Sequence, residues 1–220
     1  MKKNDLSVSM GKANLYSLPF VFFSFIVFSL PYFFIWGRNS VEIGIRATYL
    51  NLKVFIPVFV LGAFLHEILH GVSFLIFGKL SYKQIKIGFQ WKTITPFAHC
   101  KVPVKASVYR IALIMPTLIL GIIPSIIAII TGNSWLIIYG IIFTVVGGGD
   151  FLTVWLIRKA KKNQLVQDHP KNCGCWVYEN NPILDPSPIR HNPDKTKGKG
   201  KISNPILTFP YRGEGKSPPK

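Results

Sequence analysis

Residues 58–78 read VFVLGAFLHEILHGVSFLIFG. From Val58 to Phe77 the run carries no proline and is apolar apart from a cluster at its centre, so it predicts one continuous helix with three ionisable side chains inside it, His66, Glu67 and His70. About 20 helical residues, rising 1.5 Å each, cross the hydrocarbon core of a bilayer. His66 and His70 lie one turn apart and share a face. Two neutral imidazoles at that spacing can bind one zinc ion, and Glu67, next to the first of them, is placed to hold a water and take its proton. With five His and four Glu in the chain, this pattern arises somewhere by chance in only about 0.2% of such sequences, which argues against coincidence. Helix-packing histidines with an interhelical hydrogen-bonding glutamate are the rival reading. Depth weighs against it, because an ionisable group in a membrane helix costs about 2.5–3.5 kcal/mol and persists mainly where it has a partner and a task.

Outward from this helix the chain keeps a membrane character. It is 49% hydrophobic and 16% charged, with a positive mean hydropathy. Three more stretches are long and apolar enough to span, near 18–36, 111–131 and 134–157, beside one near 54–78. The first lacks a small-x-small cleavage site after its apolar run and reads as a signal anchor. The last two are separated only by Thr131-Gly132-Asn133-Ser134, a tetrad suited to a tight helical hairpin. The net charge of +17 sits in segments: half of the 26 Lys and Arg follow residue 157, and seven lie between Lys79 and Arg110. Basic loops between apolar runs point to a cytoplasmic membrane face before they point to nucleic acid, and both termini are expected to be cytoplasmic in a multi-pass protein of the cell membrane. In the 79–110 loop, Tyr82, Ile85, Ile87, Phe89 and Trp91 fall mostly on alternate positions, which predicts a short β-hairpin at the membrane surface. Beyond Asn180 the composition is rich in Pro, Lys, Gly and Asn and predicts a disordered basic tail. Cys100, Cys173 and Cys175 make an odd count without framework spacing, so a reducing compartment is expected.

A catalytic zinc usually takes three protein ligands and keeps a fourth position for water. The extended histidine motif of the metzincins would need His at position 76, which is Ile76. Across the four expected spans the only acidic residues are Glu67 and Asp150. His70 lies nine residues before Lys79 and Asp150 eight before Arg158, so both are expected at a similar depth, about 12–14 Å inside the same boundary. Asp150 is therefore the favoured third ligand. The alternative is a hydrogen bond or ion pair to another helix, and no basic residue in the spans offers itself. Gly147-Gly148-Gly149 would let the fourth helix approach the second closely, or serve simple helix packing. His99-Cys100 and Asp168-His169 with Cys173-Gly174-Cys175 are metal-capable but match no structural zinc spacing and are read as ordinary loop residues. Acylation of Cys100 is equally open.

The run LHEILHGVSFLIFGK, the β-like segment ending near FAHCKVPV, the entry YRIALIMPTLIL, and GGGDFLTVWLIRK with the closing VQDHPKNCGCWVYE together resemble a bacterial membrane family of zincin peptidases that carries a domain-of-unknown-function label. The likeness covers about residues 50–180. That family is similar in turn to the site-2 proteases, whose zinc is held by two motif histidines and an aspartate on a distant membrane helix. The resemblance implies His66, His70 and Asp150 as ligands of Zn2+ and Glu67 as the base; Phe151 departs from the site-2 pattern after the aspartate. The fold expected is an all-α membrane protein of about four transmembrane helices with a short β-hairpin between helices 2 and 3. It divides into a cytoplasmic N-terminus (1–17), a membrane-embedded metallopeptidase domain (18–180) and the tail (181–220). The expected activity is zinc-dependent hydrolysis of membrane-associated protein or peptide substrates, with the lipid bilayer as partner, anionic lipid contact by the basic loops and tail, and no specific nucleic acid. The alternative is a non-catalytic metal-binding membrane protein that regulates or chaperones others, against which the intact Glu67 speaks, since metal retention alone does not need it.

Overall fold

Four helical spans are long and apolar enough to cross a bilayer. In this computed structural model, which describes residues 3–91 and 95–179, they are α1 (Met10–Leu50), α2 (Leu52–Gly78), a third span built from α3 (Ala106–Thr117) and α4 (Ile123–Thr131), and a fourth built from α5 (Ser134–Val146) and α6 (Gly148–Leu156). The shortest span has 23 residues, about 35 Å of helix against a hydrocarbon core of about 30 Å. Their outward faces carry Phe22, Phe34 and Ile130, which are 62%, 78% and 72% exposed. A surface so apolar is ordinary only where lipid covers it. The fold is thus a mostly helical membrane protein. The basic tail from residue 181 lies outside the described residues.

Two differences from the sequence expectation concern helix limits. The first helix starts at Met10 and runs on to Leu50 instead of covering 18–36, because hydropathy reports depth in lipid and the polar turns at either end continue the helix beyond it. Gly37, at φ 73°, breaks it into two limbs, a conformation glycine adopts without strain. The fourth span is also broken, at Gly147, so that Asp150 falls in the first turn of α6. Between α3 and α4 a wide turn covers Leu118–Ile122, followed by Pro124, which has no N–H to return to the preceding turn. Gly132, also at φ 73°, ends α4, and the Asn133 side chain caps α5 by accepting from Leu136 N at 2.9 Å, giving the tight hairpin expected there.

The third and fourth spans meet along small residues spaced three or four apart. Thr117, Gly121 and Ser125 face Gly140, Thr144 and Gly147, so closely that a Cβ added at Gly140 would lie 2.7 Å from Ser125 N and one at Gly121 2.6 Å from Thr144 N. Backbone approach of this kind is how membrane helices gain packing energy where burial from water contributes little. α2 packs along α3, while α1 packs along α5 and α6. Gly147 therefore packs on Thr117 and Gly148 near Val21 of α1, and nothing lies within 4 Å of a Cβ at Gly149. The glycine run does not bring the fourth span against α2.

At one end of the helices stand two small sheets. The expected hairpin is there, β2 (Ile85–Gln90) antiparallel to β3 (Thr95–Cys100). A four-stranded antiparallel sheet in the order β1-β6-β5-β4 was not expected: β1 (Lys3–Val8) pairs with β6 (Cys173–Tyr178), β6 with β5 (Leu165–Asp168), and β5 with β4 (Val104–Lys105). It joins the first residues of the described chain to the last. Its buried face, with Val166, Cys175 and Val177, continues into Tyr109, Ala112 and Ile157 of the helices.

Gly140→Val should overpack the small-residue seam and lower stability in detergent by about 1–3 kcal/mol. Ser125→Ala at the same seam should be close to neutral, since the Ser125 hydroxyl is buried without a partner among the described residues. Thermal melts of the two variants check this, and equal losses would contradict it.

Candidate active site

His66 and His70 project from α2 as adjacent turns of one face, and both are buried. α6 brings Asp150 to them from 80 residues away in sequence: its Oδ2 lies 3.1 Å from His66 Nε2 and 3.5 Å from His70 Nε2. α3 completes the pocket. Its Ala112 carbonyl oxygen is 2.8 Å from His70 Nδ1. That carbonyl can only accept, so Nδ1 carries the proton. A neutral His70 then turns the lone pair of Nε2 toward a carboxylate oxygen, an arrangement that repels unless a cation or a second proton lies between them. Arg110, one turn from the start of α3, donates to the carbonyls of Ile157 at 2.6 Å and Ala160 at 2.7 Å, capping the end of α6 and fixing the height of α6 against α3.

The donor set suits zinc. Ligands about 2.0–2.1 Å from a tetrahedral ion stand about 3.3 Å from each other, and the two His–Asp separations, 3.1 and 3.5 Å, bracket that value. His66 Nδ1 is buried without a partner among the described residues, whereas His70 Nδ1 has its carbonyl. His66, Glu67 and His70 form a group whose ligand atoms all fall within 4.8 Å of one another. An ion held by the two imidazoles and Asp150 would keep a position open beside Glu67.

Glu67 points to the hairpin. Its Oε2 accepts a hydrogen bond of 2.6 Å from Ala98 N on β3. One residue pair down the strand Cys100 N donates to Asp168 Oδ2 at 2.7 Å, and the Tyr109 hydroxyl of α3 donates to Asp168 Oδ1. His99 Nδ1 lies 3.3 Å from the same Oδ2. Burial pushes the Asp168 carboxyl above the ordinary range, with His99, the Tyr109 hydroxyl and the Cys100 N–H pulling it back. These positions correct the reading of His99-Cys100, Asp168-His169 and the Cys173-Gly174-Cys175 stretch as ordinary loop residues. They lie on or beside β3, β5 and β6, and His169 Nδ1 accepts from Asn172 N at 2.8 Å to close the β5–β6 turn.

All four residues singled out in the sequence, His66, Glu67, His70 and Asp150, therefore meet at one place. Residues 59–165 match a family model described as "Putative zincin peptidase". The matched stretch contains all four and spans just under half of the chain. No curated protein and no solved structure matches. The zincin family implies zinc, and among the described residues the His-Glu-His group of α2 could hold it. Sequence reasoning missed the groups around these four. The Ala98 N–H and the Ala112 carbonyl belong to the backbone and leave no trace in residue types. Asp168 and Tyr109 are ordinary residues until strand pairing brings them together.

The cysteines give a chemical check on the sheet. Burial, with Asp168 nearby, pushes the thiols of Cys100 and Cys175 up to about 12, and burial also raises half-buried Cys173. A raised pKa leaves the thiol protonated at neutral pH, and the thiolate is the reactive form. At pH 8 a maleimide should label Cys173 slowly, and Cys100 and Cys175 only after unfolding. Labelling of Cys100 in the folded protein at the rate of a free thiol would contradict the sheet's placement.

Proposed function

We propose that the chain is an integral membrane zinc metallopeptidase in which His66, His70 and Asp150 hold the metal and Glu67 is the general base. The observation that carries this is the meeting of two Nε2 atoms on one Asp150 oxygen, with the His70 tautomer fixed by Ala112. A zinc ion there supplies Lewis acidity, polarising a scissile carbonyl and easing the loss of a proton from water. Glu67 does the proton work. With Oε2 held by Ala98 N–H, Oε1 is the oxygen that takes the proton from water and later returns it to the leaving amine. Asp150, in the first turn of α6, lies where the helix N-terminus favours an anion. The site-2-like character, the cell-membrane setting and the cytoplasmic side of both sheets belong to the same proposal. The lysine-rich loops at the sheet end support that side.

The substrates proposed are membrane-associated proteins or peptides, and the hairpin has one edge that can take an extended chain. Lys101 N donates to Gln84 O at 2.9 Å, so residues 84 and 101 form a hydrogen-bonded pair, and the pairs 85–100, 87–98 and 89–96 turn their N–H groups outward. On β3 the outward donors are taken by carboxylates and Pro96 has none. On β2 Ile85 N is used by Tyr82 O, leaving Ile87 and Phe89 without partners among the described residues. A chain paired along that edge would lie about 10 Å from β3, two strand spacings. A strand added there is a docking segment beside the scissile bond. It would lie against a groove of Ile68, Val72, Leu75 and Tyr82.

Glu67→Gln should keep about one zinc per chain and lower the cleavage rate of an unfolded membrane-protein substrate by about 10²–10⁴, the usual worth of a general base. Asp150→Ala should lose the zinc. Zinc in the parent without cleavage of any substrate would instead favour a regulator or chaperone, and no zinc in the parent would overturn the proposal. Ile87→Pro removes one edge donor and should raise KM about fivefold, the worth of a hydrogen bond of about 1 kcal/mol, with kcat and zinc unchanged. Unchanged KM would remove the docking edge.

A further inference from the structure

The closed edge of β3 is held by two carboxylates of unlike duty. Ala98 N–H and Cys100 N–H are consecutive outward donors of one strand, and they go to Glu67 and Asp168. If Glu67 moves protons at Oε1, its charge and with it the strength of the Ala98 N–H bond at Oε2 change during turnover, so a constant anchor for the strand has to come from elsewhere. Asp168 is placed to provide it. Both of its oxygens are occupied, Oδ1 by the Tyr109 hydroxyl and Oδ2 by Cys100 N–H with His99 Nδ1 beside it. Its backbone is part of β5, paired on both sides by β4 and β6. Tyr109 is buried and lies one turn before Ala112, whose carbonyl sets the tautomer of His70. One side chain therefore ties the strand that holds the base to the helix that orients a ligand.

We propose that Asp168 is a positioning residue of the site, acting through the Cys100 amide on Ala98 and Glu67 and through Tyr109 on α3 and His70. Asp168 lies beyond the residues that match the family model. A metal role of its own has no support, since no third metal-capable side chain joins Asp168 and His99 among the described residues. The catalytic consequence rests on the zincin reading, but the hold on Ala98 does not. Asparagine at 168 keeps the shape but loses the charge and offers one acceptor oxygen, so the Cys100 amide and the Tyr109 hydroxyl cannot both go on donating to it, and the tie that remains is weaker.

The test uses the full chain in detergent, with hydrogen exchange resolved to single amides, zinc content and cleavage kinetics measured on the same preparations. Tyr178→Phe serves as control, because it removes a hydrogen bond of the same sheet, to Gln167 Oε1 at 2.6 Å, whose side chain leaves β5 on the face opposite to that of Asp168 and keeps its own bond to Lys101 O. Asp168→Asn is expected to speed exchange at least tenfold at Ala98 as well as at Cys100, and to lower kcat more than tenfold with KM within twofold and zinc still near one per chain. Tyr178→Phe should leave all of these at parental values. Tyr109→Phe, the milder change should Asp168→Asn fail to fold, is expected to move Ala98 exchange and kcat in the same direction by less. Two results would overturn the proposal: Ala98 exchange and kcat unchanged in Asp168→Asn or Tyr109→Phe, or equal losses in Tyr178→Phe, which would make Asp168 an ordinary sheet residue. A parent without zinc or cleavage would defeat the metallopeptidase reading alone, and exchange at Ala98 would still decide whether Asp168 holds the strand.

Discussion

Three ionisable side chains buried within apolar helices must satisfy one another, and the rest of this molecule is arranged around that need. His66, His70 and Asp150 come from two helices that are far apart in sequence. An isolated carboxylate at such depth would cost several kcal/mol. Between two imidazole nitrogens it has partners once a proton or a cation lies between them, and the remaining freedom is removed from outside: the Ala112 carbonyl fixes one ring and Arg110 fixes the level of α6 against α3. Thus α3, which contributes none of the three side chains, decides the geometry of both helices that do.

The break in the fourth span has the same origin. A straight helix through residues 134–156 would carry the small-residue seam and Asp150 on one continuous spiral. At Gly147 the helix stops and restarts, with Thr117 filling the place a side chain at Gly147 would occupy. α5 can then follow the seam while α6 turns Asp150 toward α2. The carboxylate thereby falls in the first turn of α6, where a helix N-terminus favours an anion.

Much of this was legible in the residue order and the remainder was not, for definable reasons. The four spans, the turn at Gly132-Asn133 and the hairpin around Ile85 to Phe89 follow from local composition and period, which survive folding unchanged. His66, Glu67, His70 and Asp150 stood out because charge in lipid is costly wherever it lies. The four-stranded sheet escaped because its longest pairing joins Lys3–Val8 to Cys173–Tyr178, across almost the whole described chain. Neither strand alternates cleanly, and Gly174 sits inside one of them. The glycines before Asp150 suggested an approach to α2, whereas Gly147 and Gly148 face α3 and α1. A run of small residues states that something comes close without stating which neighbour it is.

The hairpin shows how the sheet end and the membrane end become one device. Antiparallel pairing makes the outward amides of β3 alternate, so an edge that faces α2 must bury Ala98 N–H and Cys100 N–H or leave them exposed at an apolar boundary. Burying them demands acceptors, and the two within reach are Glu67 from the lipid-embedded helix and Asp168 from the outer sheet. Pro96 removes the need for a third. A strand edge closed by carboxylates cannot pair with another chain, which leaves β2 as the open side and keeps the approach to Glu67 free of a competing strand. The same two hydrogen bonds that satisfy the edge therefore set where the Glu67 carboxylate can stand.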